Sequence, residues 1–258
     1  MRRLFFFFLL ALFSCAGFAA PERVVSLDLC SDWMLARHAA PRQVAALSPV
    51  YRQFADAQIK GADWSTHDES LEGVWQLSPD LVIVGQYAAP QLRARLQSLG
   101  VRVAVLPLPV RLAEIQDYER QFLKLLDLPA ERASQPPPVE ANATTSGRRL
   151  LLLGANGIGT GRGTLEDEIL TYAGWTNYLR GKGYMALDLE QLALDPPDAV
   201  LWAAPIGQAR ANRFAEHPAL RHATQNARWL STDFWRWQCP GPWTWELVTL
   251  LREWRKQQ

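Results

Sequence analysis

The sequence carries one pattern twice. LEGVWQLSPDLVI, from Leu71 to Ile83, aligns with LEQLALDPPDAVL, from Leu189 to Leu201, at a constant offset of 118 residues. Each copy reads as a helix opening on a glutamate, then Pro-Asp, then an apolar run of strand length. Proline lacks an amide proton and clashes with the preceding turn, so it separates helix from strand at the same place in both copies. A chain that repeats a helix, a stop and a buried strand folds most simply as two similar α/β lobes.

The flanking sequence extends this alternation. Val24 to Leu27, Val44 to Leu47, Leu81 to Val84 and Val101 to Leu106 read as strands, with helices from Trp33, over Leu71 to Leu77, and from Pro90 to Leu99. The second half restarts at Leu150 to Leu153, with a helix over Glu166 to Tyr172, strands at Ala199 to Ala203 and Trp229 to Ser231, and a terminal amphipathic helix from Trp243. Strands alternating with helices imply mostly parallel sheets flanked by helices on both faces. Between the halves, Leu112 to Leu126 is helical, and Pro129 to Gly147 is rich in proline, alanine and small polar residues. The predicted organisation is a signal peptide over 1–19, an N-terminal lobe over 20–108, a helical connector over 109–147 and a C-terminal lobe over 148–258. A ligand cleft is expected between the lobes, since ligands of open α/β sheets sit outside the carboxyl ends of strands.

The first residues, MRRLFFFFLLALFSCAGFAA, place two arginines before a short apolar run and then small residues, the layout of a secretory signal cleaved near Ala19. The rival reading is a lipoprotein anchored at Cys15. After cleavage 25 basic residues face 26 acidic ones, scattered without a stripe, which excludes a nucleic-acid binder. Cys30 and Cys239 then remain, and in an oxidising compartment two cysteines pair; the alternative is two buried thiols. The four histidines are dispersed, so no zinc or metal-ion receptor site is expected, and no resident cofactor. Neither GxSxG nor HExxH occurs, which leaves an exported hydrolase-like enzyme as a minor alternative.

GANGIGTGRGTL, from Gly154 to Leu165, stands between a strand and a helix. It lacks both the GxGxxG spacing of a dinucleotide loop and the Gly-Lys-Ser/Thr ending of a P-loop. Two readings stay open: backbone amides, with Asn156 among them, approaching a ligand, or a simple strand-to-helix turn.

In order, Ser26 to Asp32, the Glu72 to Asp80 helix and turn, Asn156-Gly157 with Gly163-Thr164-Leu165, Ala173 to Asn177, His217 to Leu220 and Trp237 to Pro242 make a recognisable series. In this order the chain resembles periplasmic substrate-binding proteins of ABC importers, in the group carrying cobalamin, ferric siderophores and haem. The resemblance implies a monomeric two-lobed binder without catalysis, with a rigid connecting helix and little closure. Here Pro136-Pro137-Pro138 interrupts the connector, so either the Leu112 to Leu126 helix alone is the spine or the lobes flex more than in relatives. The resemblance also implies that Glu72 and Glu190 meet arginines on the importer's two membrane subunits.

All eleven tryptophans follow the leader, several beside strand ends. Tyr51, Trp64, Tyr87, Trp235 and Trp237 suit the mouth of a cleft for a bulky chelate, cobalamin first, a ferric siderophore next, with haem as the alternative. Core packing is the other reading for Trp235 and Trp237. His67 is either an axial metal ligand or a satisfied polar residue. Asp233 and Arg236 either bind a ligand's amides and carboxylates or pair with each other.

Overall fold

The computed structural model describes residues 20–54, 63–139, 147–204 and 209–257. The predicted leader with Cys15, and residues 140–146 of the predicted connector, lie outside the described residues.

The first half folds as β1 (Val24–Ser26), α1 (Leu29–His38), β2 (Val44–Ala46), α2 (Tyr51–Phe54), α3 (Leu71–Gln76), β3 (Leu81–Gly85), α4 (Pro90–Ser98) and β4 (Val103–Leu106). Its strands are parallel in the order β2-β1-β3-β4. Successive side chains point to opposite faces of a strand. Val24, Leu81 and Ile83 accordingly join one core cluster, and Val25, Val82 and Val84 join another with Val74 and Leu96 of the flanking helices. Asp28 caps α1 by accepting from the Ser31 amide.

α5 (Ile115–Leu125) leads to the second unit: β5 (Arg149–Leu153), β6 (Ile158–Thr160), α6 (Leu165–Tyr172), β7 (Thr176–Asn177), β8 (Tyr184–Ala186), α7 (Leu189–Leu194), β9 (Ala199–Trp202), α8 (Pro218–Ala223) and β10 (Arg228–Ser231). The chain ends with α9 (Trp235–Gln238) and α10 (Trp243–Lys256). This sheet runs β10-β9-β5-β6-β8, with β7 also on β5. β5, β7, β9 and β10 are parallel, whereas β6 and β8 are antiparallel. One strand of that ribbon, β6, comes from the glycine stretch. Gly161 N–H donates to Gly183 O at 2.8 Å and Arg162 N–H to Gly181 O at 2.7 Å. A Cβ on Gly161 would stand 2.3 Å from Gly181 O, so close strand approach requires glycine there. Two amides at the start of α6 are taken by the protein's own side chains, Thr164 accepting from Asp167 N and Asp167 from Gly163 N. The segment reverses through β6 before it enters α6.

The repeat has a mechanical explanation. Asp80 accepts from the backbone amides of Glu22 and Arg23, just before β1, and Arg23 Nε donates to Leu77 O at the end of α3. Asp198 accepts from the Arg149 amide at the start of β5, and Arg149 Nη2 donates to Pro196 O after α7. The aspartate of each Pro-Asp thus pins a central strand to the end of its repeat helix.

Two crossings join the units. Along α5, Ile115 belongs to the second unit's core, while Tyr118 and Phe122 belong to the first's. At the carboxyl end, Trp235 and Trp243 pack into the first core, Trp237 and Trp245 into the second. Cys30 of α1 is bonded to Cys239 beside α9, with Cα atoms 4.9 Å apart. α5 covers most of the predicted Leu112 to Leu126 helix. The prolines beyond it are held against the second unit, with Tyr172 Oη donating to Pro137 O at 2.7 Å and Arg252 Nη1 to Pro138 O at 2.9 Å.

Candidate functional site

Parallel sheets leave helix-start and loop segments at the carboxyl ends of their strands, and both units have a concavity there. In the first, about 520 Å³ is lined by Leu27 and Asp28 after β1, Val50 after β2, His67, Glu69, and Ala88 to Leu92 after β3. In the second, about 470 Å³ is lined by Asn156 after β5 and by Arg210, Arg213, Phe214, Glu216 and His217. β1 runs into α1 and β10 into α9, the elements tied by Cys30 and Cys239, so the carboxyl end of each sheet adjoins the junction that this disulfide closes. A larger hollow, about 690 Å³, is lined by Arg148, Asp198 and Arg228 at the amino ends of β5, β9 and β10. Its place at the wrong end of the sheet removes it from consideration as the cleft.

The backbone at the rims is locally strained. Glu69, Ala89 and Asn156 have φ values of 61°, 42° and 58°, in the left-handed region that non-glycine residues seldom occupy. Asn156 is exposed beside Phe214, whose ring packs so tightly on Gly157 that a Cβ there would come within 2.5 Å of Cζ.

Of the predicted site residues, His67 and Asn156 line the concavities, and Tyr87 directly precedes Ala88, a lining residue of the first. His67 is buried, and its Nε2 lies 2.8 Å from Ser26 O. A carbonyl only accepts, so Nε2 carries the proton and Nδ1 accepts from Glu69 N–H at 3.0 Å. Both ring nitrogens are occupied, which is the satisfied-polar reading and leaves no lone pair for a metal. Tyr87 follows Gly85 at the end of β3, next to the lining residue Ala88, and is 85% exposed.

The others correct the sequence expectation. Trp235 and Trp237 are buried in the packing between the units instead of standing at a cleft mouth. Trp235 stacks on Trp33 with ring centroids 3.7 Å apart, and Trp237 Nε1 donates to Thr232 Oγ1 at 2.8 Å. Tyr51 is buried too, edge-on to Trp33 at 6.1 Å and to Trp64 at 6.2 Å, so Trp64, Tyr51, Trp33, Trp235 and Trp243 form one aromatic series. The physical reason is the second crossing: large rings near the end of β10 are needed to bury the junction of α1 with α9 and α10. Asp233 and Arg236 take the paired alternative, with Nε to Oδ2 at 3.2 Å, and Arg236 continues to Glu246 at 3.2 Å.

Sequence reasoning missed Asp28, Glu69, Arg210, Arg213 and Phe214. Asp28 had a usable signal, its place after the first strand. Arg210 to Glu216 is a short 3-10 segment without helical periodicity, and carried none.

Beneath the first concavity lies a buried carboxylate. Asp32 accepts from the Ser26 hydroxyl, from Ser48 N–H at 2.9 Å and from the Ser48 hydroxyl at 2.5 Å. Burial pushes its pKa from 3.8 up to about 7, against those hydrogen bonds. The folded chain therefore keeps a proton that the unfolded chain releases above about pH 4. The stability Asp32 contributes is full below its unfolded value and is lost as pH rises through about 7. Asp32→Asn, which presents a donor and an acceptor as the protonated acid does, is expected to flatten this decline. Urea midpoints at pH 4.5 and 7.5 check it, and parallel pH curves for the two proteins would contradict it.

No protein-family model matches the chain, and no curated protein does. Solved structures do. A periplasmic haem-binding protein from Pseudomonas aeruginosa superposes with a TM-score of 0.66 at 23% identity, over 90% of this chain and 91% of that one. The periplasmic haem-binding protein HutB of Vibrio cholerae gives 0.66 at 18% identity, over 91% and 99%. The periplasmic vitamin B12-binding protein BtuF of Vibrio cholerae gives 0.60 at 18% identity, over 92% and 99%. The fold is that of these periplasmic binding proteins. Its α/β architecture, with two sheets and a helical connection, matches the sequence expectation, and coverage this complete leaves no large part of the chain outside it.

Proposed function

We propose that the protein is the periplasmic solute-binding component of an ABC importer and that it captures a metal macrocycle, haem in first place, in the cleft between its units. The exposed Tyr87 phenol at the end of β3 carries this choice. A phenolate is a hard oxygen ligand for ferric iron, and proteins use tyrosine in that role. In the second concavity Arg210 offers a guanidinium to which a carboxylate binds through paired hydrogen bonds, as a haem propionate would, while Arg213 is already paired with Glu216 at 2.8 Å. The sequence argument for a bulky chelate drew on five aromatics for the mouth of a cleft, Tyr51, Trp64, Tyr87, Trp235 and Trp237, of which Tyr51, Trp235 and Trp237 are buried. With those rings in the interunit packing, cobalamin passes to second place and a ferric siderophore to third. Likeness to haem-binding structures supports the same order. The protein acts as a monomeric carrier without catalysis.

Glu72 and Glu190 are the proposed contacts to the importer. Both are exposed, each in the first turn of its repeat helix, beside Ser70 and Asp188, which cap those helices. Charged pairs of this kind contribute orientation and encounter rate. Glu72→Arg with Glu190→Arg is expected to abolish uptake while ligand affinity and thermal midpoint stay near wild type.

Titration of the purified protein with haemin, cyanocobalamin and a ferric hydroxamate, followed by tryptophan quenching, tests the ligand class. Saturable binding of haemin at the lowest concentration supports the proposal. Tighter binding of cyanocobalamin or of the hydroxamate replaces it with that ligand, and binding of none of them overturns it.

A further inference from the structure

The repeat is matched in its glutamates but not in what lies next to them. One helical turn after Glu72 stands Trp75, 55% exposed, and one turn after Glu190 stands Leu194, 83% exposed. Residues three and four apart share a helix face, so each carboxylate and its apolar neighbour present together. Trp75 makes no ring contact among the described residues. An indole left this far in water, on a helix otherwise held by a buried Val74 and a capping Ser70, contributes little to the fold. Tryptophan is, however, the side chain most enriched among residues that dominate protein interfaces.

We infer that Trp75 and Leu194 are unequal apolar anchors of the importer-docking surface, and that Trp75 fixes which way round the protein sits on its membrane partner. This rests on the reading of Glu72 and Glu190 as docking contacts. Two carboxylates at equivalent positions call for a partner with cationic groups in two-fold arrangement. Such a partner accepts the protein in two orientations if the lobes look alike. Trp75 removes that degeneracy, because at the repeat's offset of 118 residues its counterpart is Ala193, which leaves a pocket shaped for an indole empty, and Leu194 corresponds to Gln76. The carboxylates then steer the encounter, and the indole, desolvated on contact, slows dissociation.

The test measures uptake by the source cell of haemin, or of cyanocobalamin where wild type binds that instead, with the variants replacing the wild-type protein. Trp75→Ala is expected to lower uptake at least tenfold, Trp75→Phe to restore most of it, and Leu194→Ala to lower it less. Binding of the same probe by each purified variant, and its thermal midpoint, should match wild type, since both residues lie outside the concavities. Trp75→Gln serves should the alanine variant fold poorly. Unchanged uptake with Trp75→Ala or Trp75→Gln overturns the anchor, as does loss of probe binding in step with uptake. The Glu72→Arg, Glu190→Arg pair separates the two ideas. If that pair stops uptake while Trp75 variants do not, docking stands and the anchor falls; if the pair leaves uptake intact, the docking reading itself fails.

Discussion

Replacing Cys30 and Cys239 by serine is expected to cost about 5 kcal/mol of unfolding free energy. The bond closes a loop spanning a sequence separation of 209 residues, and on the chain-entropy account such a constraint removes that much freedom from the unfolded chain. This is a large share of the ~5–15 kcal/mol typical of a folded protein. The bond also ties α1 to the segment after α9 at the junction it closes, so its loss is expected to let the two units unfold in separate steps. Urea unfolding followed by fluorescence checks both parts. A double serine variant with the wild-type midpoint and a single transition would contradict them.

Trp235→Ala is expected to cost about 3 to 5 kcal/mol, the range for removing a large buried ring and leaving a cavity. Trp235 is 6% exposed, stacks on Trp33 and meets Trp243 at 5.2 Å, so its removal opens the middle of the interunit aromatic series. The same urea experiment measures the loss. A variant of wild-type stability that instead loses haemin affinity would return Trp235 to the cleft.

Much of the fold was legible because its signals are local. Apolar runs such as Leu81 to Val84 and Leu150 to Leu153 have strand length and are bounded by turns, and both are buried strands. The repeat was visible because Asp80 and Asp198 do the same work in both sheets. The antiparallel ribbon was not, since β6 and β8 are three residues each and draw their identity from each other across Gly161 and Gly183. The site was less legible than the fold. Position after a strand singled out Tyr87, position before the repeat helix His67 and the glycine stretch Asn156, but an aromatic near a strand end reads alike whether it lines a cleft or seals a junction. What decided Trp235 and Trp237 was how α9 and α10 cross between the units, a long-range contact that no local pattern encodes. Arg210 and Arg213 were hidden for the same reason.

The proposed function turns on Tyr87 holding the iron of a bound macrocycle at the carboxyl end of β3. Its most direct test is the absorption spectrum of the intact, disulfide-bonded protein titrated with haemin, alongside Tyr87→Phe. The account predicts saturation at one haemin per chain with a phenolate-to-iron charge-transfer band, and loss of that band with at least tenfold weaker binding in Tyr87→Phe, whose midpoint in urea stays unchanged. Identical spectra and affinities for the two proteins would contradict it.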